Sequence, residues 1–167
     1  MSALARKVCM LGDFGVGKTS LVARFVRNTF SEQYLTTVGA KVDSKEVALP
    51  SGDVLKLVVW DIAGKSALDA LNMNYLRGAS GLLLVADGTR EATLRVALDL
   101  LMQSRDLLPG AEVVLLVNKL DIIDIDRWEV APTTLAELRR SLPVFETSAR
   151  FGDGVEAAFA ELARRLA

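Results

Sequence analysis

Residues 12–20 read GDFGVGKTS, and Gly12-Asp13-Phe14-Gly15-Val16-Gly17-Lys18-Thr19 fills the pattern G-x-x-x-x-G-K-[ST]. An apolar run, KVCML at 7–11, precedes it and a helical pattern follows it. In such a loop successive backbone N–H groups turn inward at phosphate oxygens, assisted by the positive end of the helix that follows. Gly15, Val16, Gly17 and Ser20 line that backbone. Lys18 is spaced to bridge the terminal phosphates, and the Thr19 hydroxyl to bind Mg2+. The loop points to a nucleoside triphosphate without naming its base.

A second stretch reads a base. Residues 116–121 run LVNKLD, an apolar strand ending in Asn118-Lys119-Leu120-Asp121. The Asp121 carboxylate can accept from the N1–H and the 2-amino group of guanine; adenine offers neither there. Asn118 would tie this loop to the phosphate loop, and the Lys119 stem would cover the flat base. Near the end of the chain, Glu146-Thr147-Ser148-Ala149-Arg150 follows the last strand. There the Ala149 N–H can donate to guanine O6, with Ser148 and Arg150 on either side.

Two further loops suit the γ-phosphate. In Asp61-Ile62-Ala63-Gly64, Asp61 would hold Mg2+ through water and the Gly64 N–H would meet the phosphate. In Tyr34-Leu35-Thr36-Thr37-Val38-Gly39, Thr37 would complete the Mg2+ coordination only while that phosphate is present.

These side chains need a scaffold, and the alternation of patterns supplies one. Strand-like runs occupy 7–11, 41–49, 54–60, 81–86, 112–117 and 143–147, and helix-like runs 18–28, 66–77, 91–108, 133–141 and 154–166. Thr134 with Glu137, and Asp153 with Glu156, predict capping boxes. PSGD joins the second and third strands as a hairpin, while every other pair is separated by a helix, so parallel crossovers are expected. The predicted fold is α/β: a six-stranded, mostly parallel sheet with one antiparallel strand and helices on both faces, a single domain over 1–167.

Composition agrees with one soluble domain. Of 167 residues 51% are hydrophobic and 25% charged, and 20 basic against 21 acidic residues argue for no nucleic-acid partner. Cys9, alone of its type, predicts a buried small hydrophobe and a cytoplasmic setting. No signal peptide, no membrane-length apolar run and no cysteine for a prenyl group are visible, so no intrinsic membrane anchor is expected.

Taken in order, GDFGVGKT, TTVG, DIAG, NKLD and ETSA resemble the motifs of a small GTPase of the Ras superfamily, through residues 6–166. GDFGVGKTSLVARFV and YLTTVGAKV look most like the Rab branch and its prokaryotic Rab-like relatives. The resemblance implies a P-loop G domain, GTP or GDP as ligand, Mg2+, and signal transduction with activating, exchange and effector proteins. It implies further that Phe30 packs edge-on against guanine, that Tyr34 lies over the phosphates, and that Lys18, Thr37, Gly64 and residue 65 serve catalysis. The family usually carries glutamine after D-x-A-G, where its amide orients the attacking water. Here that position is Lys65, whose ammonium has donors but no acceptor. Phe14 stands where the family has a small residue. Together they predict GTP hydrolysis that is slow without a partner, with a non-hydrolysing GTP-binding scaffold as the alternative.

Overall fold

The computed structural model describes residues 4–29, 39–63, 74–122 and 127–167. Most of the helix predicted at 66–77 lies outside them, as do Phe30, Tyr34, Thr37, Gly64 and Lys65. Within them the strands are β1 (Leu4–Gly12), β2 (Ala40–Ala48), β3 (Val54–Ile62), β4 (Gly81–Asp87), β5 (Glu112–Asn118) and β6 (Val144–Glu146). The helices are α1 (Lys18–Arg27), α2 (Glu91–Leu107), α3 (Pro132–Arg139) and α4 (Val155–Leu166), with a short 3-10 turn at Leu120–Ile122.

The six strands form one sheet in the order β2-β3-β1-β4-β5-β6. Only β2 and β3 run antiparallel. Their hairpin closes through Leu49 N–H on Asp53 O (2.8 Å) and Gly52 N–H on Leu49 O (2.9 Å). Helices cover both faces, as the continuous apolar runs of β4 and β5 require: all of β4 is buried. Side chains of a strand alternate between faces, so β1 feeds two cores. Val8 and Met10 pack with α1 and α4; Cys9 and Leu11 pack with α2 and α3. The first core is closed by Phe25 stacked on Phe159, ring centroids 3.8 Å apart, which joins α1 to α4. Cys9 is fully buried, and desolvation pushes its thiol up to about 12.

Neither predicted capping box forms. Pro132 opens α3: its fixed φ suits the first helical position and it lacks an N–H to satisfy, so Ala131 becomes the cap and Thr134 falls inside the helix. α4 starts from Gly154 in the left-handed region, one residue after Asp153. Among the described residues no helix is long and apolar enough to cross a membrane.

α4 carries a local test of stability. Glu161 accepts from Arg164 Nη2 (2.7 Å) and Nε (3.1 Å) and from Arg165 Nε (2.9 Å). The bonds from Arg164, aided by Arg165 and opposed by slight burial, bring its carboxyl down from 4.5 to about 2. The folded state therefore binds its proton later than the unfolded chain does. The stabilisation is whole above pH 4.5 and is lost as pH falls through 2. Glu161→Gln should lower stability at pH 7 by less than about 1 kcal/mol, the scale of exposed pairs. Thermal melts across pH should show the gap to the unmodified chain closing towards pH 2. A gap that is constant with pH would remove the ion pairs as its cause.

Candidate functional site

The order of strands reverses direction at β1, whose neighbours are β3 on one side and β4 on the other. In open sheets of this kind the crevice at the carboxyl ends of the strands, beside that reversal, is where ligands bind. Gly12, Ile62, Asp87 and Asn118 end β1, β3, β4 and β5 there.

The phosphate-loop sequence runs from the end of β1 into α1. Val16 is fully buried and anchors the loop to the first core. Gly15 and Gly17 take φ of 70° and 103°, left-handed values that successive inward N–H groups need. Gly17 has a second reason: a Cβ there would sit 2.3 Å from Asn118 Nδ2. Lys18 is only 7% exposed. Its Nζ donates to the carbonyls of Gly12 (3.2 Å) and Asp13 (3.3 Å) across the loop. Burial pulls its ammonium below the usual lysine range, against Asp61 and Asp13, which favour the charge. The Thr19 hydroxyl donates to Asp61 Oδ2 at 2.5 Å. A hydroxyl and a buried carboxylate converging beside the glycine-rich loop are hard oxygen donors, and they fit Mg2+ with its remaining positions left to water and phosphate.

The base-side residues gather around Asn118. Its Nδ2 donates to Val16 O (3.0 Å) in the phosphate loop. Its Oδ1 accepts from Thr147 Oγ1 (3.1 Å) and from the Ala149 N–H (3.2 Å). One buried amide thus holds three segments together. Asp121 accepts from the Ser148 hydroxyl (2.9 Å), which in turn accepts from the Phe151 N–H (3.0 Å). Gly17, Ser20, Asn118, Asp121, Ala149 and Arg150 line one recess. Lys119, in the left-handed region at φ 74°, sends its Nζ to Asp87 Oδ2 (3.0 Å).

Three residues escaped the sequence reading. Asp87, 1% exposed, is desolvated, which raises its carboxyl; hydrogen bonds from Thr89, Lys119 and Arg90 outweigh this and hold it below the ordinary carboxylate range. Arg90 pairs with it (3.0 Å) and donates through Nη2 to Phe14 O (2.8 Å). Arg24, on α1, donates through Nε to Ala149 O (2.8 Å) and through Nη2 to Arg150 O. An acid closing the apolar run GLLLVA beside the strand that ends in N-K-x-D was a readable signal for Asp87. The two arginines had none. The Phe14 ring is 55% exposed at the surface of the loop.

The sequence matches known proteins over nearly its whole length. A sequence model of the Ras family covers residues 7–167. The Ras-related protein RIC2 of Oryza sativa subsp. japonica is 37% identical over 161 residues, 96% of this chain and 74% of RIC2. The Ypt/Rab-type GTPase YPT7 of Saccharomyces cerevisiae is 36% identical over 169 residues, 95% of this chain and 79% of its own. The Ras-related protein Rab-22A of Canis lupus familiaris is 35% identical over 163 residues, 96% and 82% of the two chains.

Proposed function

The chain belongs to the Ras family, in the company of Rab-type GTPases, and from that premise we propose that it is a guanine-nucleotide switch that binds GTP with Mg2+ and hydrolyses it slowly when alone. The observation that carries the reading is Asn118. It binds Val16 of a G-K-T phosphate loop with one end and the 147–149 segment with the other, around a recess that also holds Asp121. A triphosphate on the loop would present its base to that recess.

In this reading the loop N–H groups of Gly15, Val16 and Gly17, with Lys18, cradle the phosphates, and Ser20 closes the recess. Thr19, Asp61 and Thr37 hold Mg2+, which neutralises charge on the phosphate oxygens. Asp121, with Ser148, Ala149 and Arg150 around it, reads guanine, with the Lys119 stem over the base and Phe30 edge-on against it, while Tyr34 lies over the phosphates. Water attacks the γ-phosphorus in line, and the bond to the β-phosphate oxygen breaks to give GDP and phosphate. Gly64 and Lys18 steady the charge on the transferred group. Thr37 completes the Mg2+ coordination and Gly64 meets the γ-phosphate only in the GTP state, which gives activating, exchange and effector proteins a difference to act on.

The slow rate rests on two residues. Lys65 supplies donors where an acceptor must orient water. The Phe14 ring is exposed and belongs to neither core among the described residues. The same pair favours the second reading, a GTP-binding scaffold that does not hydrolyse. Single-turnover hydrolysis by the unmodified chain, Phe14→Gly, Lys65→Gln and the double variant, each saturated with GTP, separates them. Each single change should do little, because one leaves the wrong side chain and the other a blocked approach. The double variant should hydrolyse at least about tenfold faster, a strongly non-additive gain. An unmodified chain as fast as the double variant would end the slow-switch reading. No hydrolysis by any of the four would favour the scaffold.

A further inference from the structure

We propose that Arg90 is a positioning residue for the phosphates: it holds the Phe14–Gly15 peptide so that the Gly15 N–H faces the nucleotide, and through Asp87 it links that peptide to the base-reading loop. The inference rests on the nucleotide reading above and adds a residue that no motif contains.

The loop carbonyls divide by direction. Those of Gly12 and Asp13 are turned to the Lys18 ammonium. That of Phe14 is turned to Arg90 Nη2 at 2.8 Å. In a trans peptide the C=O and the following N–H point opposite ways, and no cis bond occurs among the described residues. The Gly15 N–H therefore lies on the side away from Arg90. Gly15 itself takes φ 70°, and with no Cβ it offers little resistance to a flip of the 14–15 peptide. A flipped peptide would present oxygen to an anion in place of a donor. Arg90 opposes that flip by holding the oxygen outward. Its guanidinium lies along the loop: a Cβ on Gly15 would be 3.5 Å from Nη2.

Arg90 is held in its turn. Its Nε is 3.0 Å from Asp87 Oδ2, the oxygen that Lys119 Nζ also meets at 3.0 Å. Asp87 Oδ1 accepts from the Thr89 N–H (2.9 Å) and hydroxyl (2.6 Å), so the carboxylate has no freedom to follow the arginine. The guanidinium serves two acceptors in different directions at once, from Nε and from Nη2. An ammonium, a single point of charge, cannot span them in the same way. An arginine side chain 46% exposed would otherwise rank among ion pairs of little consequence; its directional bond to the phosphate loop is what sets it apart.

The test uses the full chain with GDP and Mg2+, and the variants Arg90→Ala and Arg90→Lys. Arg90→Ala should speed GDP release about tenfold, the worth of one charge-assisted hydrogen bond. The 31P resonance of the β-phosphate and the Gly15 amide proton resonance should both shift. Affinity for GMP, which has no β-phosphate for that N–H to meet, should stay within about twofold of the unmodified chain's, well short of the loss of one such bond. Arg90→Lys should recover less than half of the effect. Unchanged GDP release and 31P shift in Arg90→Ala would overturn the proposal. So would equal losses for GDP and GMP, the mark of general damage to the fold. Failure of the unmodified chain to bind GDP would be seen first and would remove the nucleotide reading itself.

Discussion

Asp121→Asn should turn a guanine-binding site into a xanthine-binding one, with affinity for GDP falling about a thousandfold, the cost of two misplaced buried hydrogen bonds. The direction follows from Ser148. Its oxygen accepts from the Phe151 N–H, so its own proton is committed to residue 121. An amide placed there would turn its oxygen to that hydroxyl and leave its NH2 facing the base. Against guanine this sets donor against donor. Xanthine carries an oxygen at the 2-position and accepts. Competition binding of GDP and xanthosine diphosphate to both proteins measures the exchange. A variant that still prefers GDP would show that Asp121 does not read the base.

Lys18→Met should separate stability from binding. The ammonium is buried, and desolvation pulls its pKa down despite Asp61 and Asp13 nearby. A lowered lysine pKa means that folding disfavours the charge: stability is reduced at neutral pH and recovers as pH rises through the folded value towards 10.5. A methionine of similar length removes that charge. The nucleotide-free variant should melt at a higher temperature, by an amount worth about 1 kcal/mol. Its affinity for GTP should fall by more than about a hundredfold, since no cation is left to meet the phosphates. The same substitution should remove the rise in stability that Lys18 contributes as pH approaches 10.5. A variant that melts lower would mean that the bonds to Gly12 and Asp13 outweigh the burial cost.

What could be read from the sequence was whatever repeats with a period or fills a motif. The apolar runs of β4 and β5 fixed the buried centre of the sheet, and PSGD its antiparallel pair, because burial on two faces and a tight turn each leave a local signature. Strand ends ran one or two residues longer than expected at β3, β4 and β5, where polar residues such as Asp61 and Asn118 close the strands and hide them from a hydrophobic pattern. The caps failed for a related reason. Thr134 and Asp153 have the right side chains, but a proline and a left-handed glycine chose the helix starts instead. In the site, Lys18, Thr19, Asn118 and Asp121 were legible because their chemistry demands a spacing. Arg90 and Arg24 act on backbone carbonyls, across 76 residues in one case and 125 in the other. No local pattern records a bond to a main-chain oxygen, since every residue has one.

The three bonds of Asn118 have a consequence for the chain before any nucleotide is turned over. They span 102, 29 and 31 residues of sequence, so they exist only once β1, β5 and the segment after β6 are all in place. Contacts of such separation close late in folding. A ligand that needs them binds the finished domain and nothing earlier. By mass action it then stabilises that domain by about 4 kcal/mol at a thousand times its dissociation constant. The nucleotide would act as a thermodynamic clasp on the whole molecule. The amount of folded protein in a cell would follow the guanine-nucleotide pool, and a mutation far from the site would do least harm where that pool is full.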